Sequence, residues 1–187
     1  MEKLSDNYYV EKIRSGKTDF FAPLLEKYSV QVFSLIVKIV GTREDAEELA
    51  QDVFVKAYSS LSSFRGDCSF STWVYRIAYN VAISATRRKK TEYLTVDETQ
   101  LADLPDDRDE TTLEHADTEE RLVHLNRALE QLSPEERAMI ILFYKDDKSL
   151  KEITVITGLT EANVKIKLFR IRKKLLGMIK IMEKKRI

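Results

Sequence analysis

Residues 161–187 contain ten lysines and arginines but only two acids, Glu161 and Glu183. Lys165, Lys167, Arg170, Arg172, Lys173 and Lys174 are interleaved there with Val164, Leu168, Ile171 and Leu175, which recur at helical spacing as one apolar stripe. A face that is merely solvated usually mixes both signs of charge. Here one stripe can anchor a helix while the other faces offer positive charge to an anion. Just upstream, Leu150, Ile153 and Ile156 keep helical spacing, Gly158 permits a left-handed break, and Thr160 is placed to cap the next helix. Residues 149–175 are therefore predicted to be a helix-turn-helix, whose second helix enters the major groove of DNA.

A second group of residues has chemistry of a different kind. Between residues 64 and 90, Phe64, Phe70, Trp73, Tyr75 and Tyr79 alternate with Arg65, Arg76 and Asn80, and the run closes on Arg87, Arg88, Lys89 and Lys90. Two explanations are open on physical grounds. Cations at a helix C-terminus complement its dipole, and aromatic residues at helical spacing, Trp73 above all, form core. Alternatively, an exposed loop of arginine and aromatic residues beside a basic helix suits unpaired bases, whose stacking is worth about 1–3 kcal/mol each.

The elements that must hold these residues are helical. Only five glycines and three prolines occur in 187 residues, and strand-type alternation is scarce. A first helix is expected from Asp6 through Tyr9, Val10 and Ile13. A second starts at a Thr18 or Asp19 cap, buries Phe20, Phe21, Leu24, Leu25 and Tyr28, and ends at Gly41. Thr42, with Asp45 three residues on, predicts the next start, followed by an apolar series from Ala46 to Leu61. A polar loop, SSFRGDCS, precedes a helix over residues 72–88. Helices resume near Thr118, and SPEER from Ser133 opens another with a serine cap, proline at the first position and acids in the first turn.

The net charge of zero conceals segregation. Residues 1–90 are net +3, residues 91–120 net −11, and residues 121–187 net +8. The stretch from 91 to 117 lacks periodicity and buries too little apolar surface to order itself, which predicts a flexible acidic linker. The expected architecture is all-α: two small helical domains, 1–90 and 118–187, joined by that tether. Cys68 is the sole cysteine, so no intrachain disulfide forms. His115 and His124 lack the neighbours of a zinc site. No apolar run approaches a membrane span and the N-terminus lacks a signal-peptide core, so a cytoplasmic protein is expected.

The two motifs, in this order and separated by an acidic linker, resemble a bacterial RNA polymerase sigma factor of the extracytoplasmic-function (ECF) group. DAEELAQDVFVKAYSSL followed by FRGDCSFSTWVYRIAYNVAI is similar to the second conserved sigma region. LSPEERAMIILFY followed by residues 149–175 is similar to the fourth. The resemblance implies no enzyme activity, cofactor, metal ion or small-molecule substrate. Its implied partners are core RNA polymerase (the clamp helices of its largest subunit and its flap region), promoter DNA and an anti-sigma factor.

By the same resemblance, Asp45, Glu48, Leu49, Asp52, Val53 and Lys56 would dock on the polymerase. Phe64, Arg65, Asp67, Phe70, Thr72, Arg76, Tyr79, Asn80, Arg87 and Arg88 would meet the −10 element, with a flipped base held by the loop over residues 62–69. The −35 element would be met by Thr160, Glu161, Ala162, Asn163, Lys165, Ile166, Lys167, Phe169, Arg170, Arg172 and Lys173. This chain departs from the family where Thr154, Ala162, Ile166, Lys167 and Phe169 replace the usual alanine, glycine, serine, arginine and histidine, and where Ser84 replaces aspartate. Lysine for arginine exchanges a bidentate fork for a point charge and alters base reading. For Ile166 and Phe169, contact with thymine methyls and internal packing both remain open. A helix-turn-helix regulator with an N-terminal sensing domain is the alternative, though such a domain has no use for FRGDCSFSTW. An enzyme acting on nucleic acid would need clustered carboxylates or a phosphate loop, and neither is present.

Overall fold

In this computed structural model, residues 5–93 and 118–184 are described, and every regular element among them is helical. Eight α-helices run in chain order: α1 Asp6–Arg14, α2 Phe21–Val40, α3 Arg43–Ser59, α4 Phe70–Tyr93, α5 Thr118–Glu130, α6 Pro134–Ile140, α7 Leu150–Thr157 and α8 Glu161–Lys184. The all-α expectation holds. The linker expected at 91–117 lies outside the described residues from 94 onward, and α4 already includes residues 91–93.

The first four helices pack as a bundle with α2, α3 and α4 in mutual contact. Leu24, Tyr28, Val32, Leu35, Ile36 and Ile39 give α2 its inner stripe, and fully burying each such aliphatic contributes about 1.5–3 kcal/mol. Pro23 sits in the first turn, where the missing N–H has no helical partner to lose. Gly41 ends the helix at φ +87°, its N–H donating to the carbonyl of Val37. Residues Thr18–Val40 are long and apolar enough to cross a membrane by length and composition, contrary to the sequence reading. Lys27 and Lys38 interrupt that segment, and its inner stripe belongs to the bundle core.

Three local expectations are corrected. Leu25 is exposed and Phe21 only half-buried, because both line an open groove between α2 and α3, while half-buried Phe20 meets Tyr8 and Tyr9 of α1. Thr42 does occupy the start of α3, but its hydroxyl donates to the Asp45 carboxylate and caps no backbone N–H. The expected helix over 72–88 begins at Phe70 and ends at Tyr93.

In the C-terminal half, Ser133 and Glu136 form a reciprocal capping box at α6, and Ser149 with Glu152 forms another at α7. The end of α6 widens into a π-type turn over Ile141–Lys145. Gly158, at φ +74°, separates α7 from α8, and Thr160 Oγ1 accepts from the N–H of Asn163 to cap α8. The two halves also touch: α7 and α6 pack on α4, and α6 on α2. Buried residues of both halves form one cluster, from Val10 to Leu175.

Candidate nucleic-acid interface

Helix α8 buries Val164, Leu168, Ile171 and Leu175, the stripe expected from spacing. That anchoring leaves Ala162, Asn163, Lys165, Ile166, Lys167, Phe169, Arg170, Arg172 and Lys173 on the exposed side, with Thr160 and Glu161 at its start. Ile166 is 48% exposed and Phe169 65%, which settles the choice left open by sequence: neither packs internally. An isoleucine and a phenylalanine standing among cations are misplaced for water. They suit the apolar C5-methyl of thymine. Glu161 forms an i,i+4 ion pair with Lys165 at 2.7 Å, which holds the glutamate carboxyl below its ordinary range. Lys174 turns away from this face and pairs with Glu136 at 2.9 Å.

The loop over residues 62–69 is anchored by its aromatic residues and presents its polar ones. Phe64 and Phe70 are buried, in edge-on contact with each other, and each packs against Trp73. Their expected role as exposed base platforms is corrected: they fasten the loop to the bundle. The guanidinium of Arg14 donates to the carbonyls of Leu61 and Phe64, tying α1 to the loop's entry. Arg65, Gly66 and Asp67 project at the tip, where Gly66 takes φ +81°. Cys68 is half-buried, and burial pushes its thiol up.

Along α4, Arg76, Asn80, Arg87 and Arg88 are exposed and Tyr79 is half-buried. Thr72 is different. It is 1% exposed, and its hydroxyl donates to Glu152 Oε1 of α7 at 3.1 Å. Because Thr72 spends its proton there, Ser69 Oγ, 2.8 Å away, supplies the hydrogen of that contact. Arg87 pairs with Glu135 at 3.3 Å. Tyr75 is buried and faces Asp146, and burial raises the pKa of each.

On α3, Glu48, Asp52 and Lys56 are exposed and Leu49 is half-buried. Val53 is fully buried, so no docking face of α3 includes it. Asp45 is engaged within the chain, accepting from Lys89 of α4 and from Thr42, which together lower its pKa. Spacing missed a groove of about 720 Å³ between α2 and α3, lined by Phe21, Leu25, Phe33, Phe54, Val55 and Tyr58 among others. Its available signal was Val55, an apolar residue off the stripe and 67% exposed. No group of three or more metal-ligating side chains occurs among the described residues.

Comparison with known proteins bears on both ends of the chain. The family model described as Sigma-70 region 2 matches residues 24–92, and that described as Sigma-70, region 4 matches residues 122–175. The chain is 31% identical over 179 residues to the ECF RNA polymerase sigma factor SigW of Bacillus subtilis, covering 89% of this chain and 92% of the relative. It is equally 31% identical over 179 residues to the ECF RNA polymerase sigma-E factor of Escherichia coli K12, covering 91% and 92%. In fold it is like the sigma factor RpoE solved with the anti-sigma factor NepR from Bartonella quintana, with TM-score 0.64, 23% identity, and 86% and 97% of the chains covered. CnrH, solved with the cytosolic domain of CnrY, gives TM-score 0.68 at 21% identity over 94% and 97%.

Proposed function

Since the chain belongs to the ECF group of RNA polymerase sigma factors, we propose how its surfaces divide the work of promoter recognition. As a factor of this family it binds core RNA polymerase and directs it to promoters; the family is not one of enzymes. In our reading residues 1–90 serve the polymerase and the −10 element, and residues 118–187 serve the −35 element. The acidic stretch between them is the tether, and the protein works in the cytoplasm.

The observation that carries this reading is the outward cationic face of α8, with Lys165, Lys167, Arg170 and Arg172 exposed over a buried apolar stripe. Phosphate contacts from these cations would set register, and Ile166 and Phe169 would meet base edges. At the other end, the tip formed by Arg65 and Asp67 holds a flipped base, and Arg76, Asn80 and Arg88 follow the strand. Opening needs no covalent chemistry: binding energy captures bases once unstacked. Glu48 and Asp52, beside the α2–α3 groove, give the polymerase a face that is both acidic and apolar, which suits a basic partner surface. RpoE of Bartonella quintana is solved with an anti-sigma factor; we extend that class of partner to this chain.

The test is run-off transcription with bacterial core polymerase on a promoter found by mapping transcription starts after overexpression. The expected result is a transcript that depends on the chain. Duplex binding without any affinity for core polymerase would instead support the helix-turn-helix regulator.

A further inference from the structure

Resting on the −35 reading above and extending it, we propose that α8 carries a second nucleic-acid contact beyond its recognition face. Gly177, flanked by Lys173, Lys180 and Lys184, is a notch that seats the phosphodiester strand bordering the −35 element. The Sigma-70 region 4 match ends at residue 175, while α8 runs on to Lys184. Gly177, Lys180 and Lys184 therefore lie outside the stretch that the family accounts for.

The notch is in register with the recognition face. Ala162, Ile166 and Phe169 stand opposite the buried stripe of Val164, Leu168, Ile171 and Leu175. At the same spacings of four and three, that outward line continues through Lys173, Gly177, Lys180 and Lys184. Residues so spaced share one face of a helix. Lys173 and Lys184 are exposed, and Gly177 and Lys180 half-buried. At ~1.5 Å of rise per residue, Gly177 follows Phe169 by about 12 Å, the width of the major groove. A helix that crosses the groove with Ile166 and Phe169 on base edges thus brings Gly177 to the strand that walls it.

Nothing inside the protein calls for glycine at this position. Its backbone is ordinary helix, without the positive φ that the other four glycines adopt. A Cβ built there would meet no packed atom within 4 Å. Glycine is nevertheless the least favoured residue after proline inside a helix, because it loses the most backbone freedom. What it offers in return is close approach of the backbone to a ligand. The neighbouring side chains say which ligand. Lysines about one turn before and one turn after the notch present ammonium groups suited to phosphates, and the outward line carries no acid. Leu176 and Ile181 are exposed beside it, which makes a protein surface the rival occupant. Continuity with the recognition face and the sign of the charge favour the duplex.

The experiment uses the full chain and a duplex carrying the −35 element of a mapped promoter. One form has ordinary phosphates throughout; in the other, those flanking the element are replaced by neutral methylphosphonates. Gly177→Ala and Gly177→Leu fill the notch, and Lys180→Ala with Lys184→Ala discharges its rim, while circular dichroism follows helix content and melting. Gly177→Ala should melt at or above the parent temperature yet bind the ordinary duplex about tenfold more weakly, the loss of one contact to a charged group. The lysine variant should lower the salt slope by about 0.9 for each phosphate contact removed. On the neutral-flanked duplex the parent, the alanine variant and the lysine variant should bind alike. Equal affinity of the parent and both Gly177 variants for the ordinary duplex overturns the inference and leaves α8 as the −35 reader. A loss confined to core polymerase binding overturns it too, since the notch would then be a protein surface. Failure of the unsubstituted chain to bind either duplex would sink the −35 reading itself, and this inference with it.

Discussion

Lys174 on α8 places its ammonium 2.9 Å from Glu136 Oε2, and that same oxygen accepts the backbone N–H of Ser133 in the cap of α6. One carboxylate therefore closes the start of α6 and ties α8 to it. Burial works to raise the Glu136 pKa, but Lys174 and the Ser133 cap outweigh it and the net shift is downward from 4.5. Glu152 is lowered in the same sense: burial again opposes, and Ser149, Thr72 and Lys148 prevail.

A depressed carboxylate pKa stabilises the fold above the ordinary carboxylate range and loses that contribution as pH falls through the lowered value. Asp146 runs the other way, since burial raises its pKa and its contribution fades as pH rises. The thermal unfolding midpoint is thus expected to drop as pH is lowered below about 4.5, and Glu136→Gln should flatten that dependence while costing about 1 kcal/mol at neutral pH. An equal pH dependence in parent and variant would show that this carboxylate is not the titrating group.

Replacing Lys165 or Arg170 by alanine should weaken binding to −35 duplex and reduce the salt slope by about 0.9 for each phosphate left without its cation. The Glu161 partner of Lys165 is exposed, so its release contributes little to the change. Gel-shift titrations over a series of salt concentrations give the slope directly; an unaltered slope would mean that these side chains do not meet phosphate.

Ile166 and Phe169 should register thymine methyls. Exchanging thymine for uracil in the −35 duplex removes only that methyl, and the parent should bind more weakly by about 0.8 kcal/mol for each methyl buried. An Ile166→Ser, Phe169→Ala double variant should bind both duplexes alike. Equal affinity of the parent for the two duplexes would assign these residues another role.

On α3, Val53 and Val55 should separate fold from docking. Val53→Ala removes fully buried methyl groups and should cost about 1–3 kcal/mol of stability, with core polymerase binding kept in the folded fraction. Val55→Asp, at an exposed groove position, should leave the melting temperature nearly unchanged and weaken polymerase binding by tenfold or more. Glu48→Lys with Asp52→Lys should abolish that binding. If a pull-down shows polymerase affinity surviving both charge reversals, the docking face lies elsewhere.

What could be read from sequence was whatever a single helix decides by itself. The stripe of Val164, Leu168, Ile171 and Leu175 follows from i, i+3, i+4 spacing, and the caps at Ser133 and Thr160 from residue type three positions ahead of a partner. What escaped depends on chain folded back from afar. Phe64 turns inward onto Phe70 and Trp73, with its carbonyl held by Arg14 fifty residues upstream, and Thr72 is hydrogen-bonded to Glu152, eighty residues downstream. Leu25, which periodicity assigns to the core, points outward at the groove, where it joins Val55, an apolar residue off the stripe. Thr42 has the composition of a cap, yet its hydroxyl prefers the nearer Asp45 carboxylate.

The grip of Arg14 on the carbonyls of Leu61 and Phe64 also has a practical side. Helix α1 itself carries no residue assigned to promoter or polymerase, so it invites trimming when shorter expression variants are wanted. Such trimming would unbrace from behind the turn we assign to trapping a base. The resulting protein would still locate its duplex box and still ride the enzyme, yet fire poorly, a defect easily mistaken for damage to the turn itself.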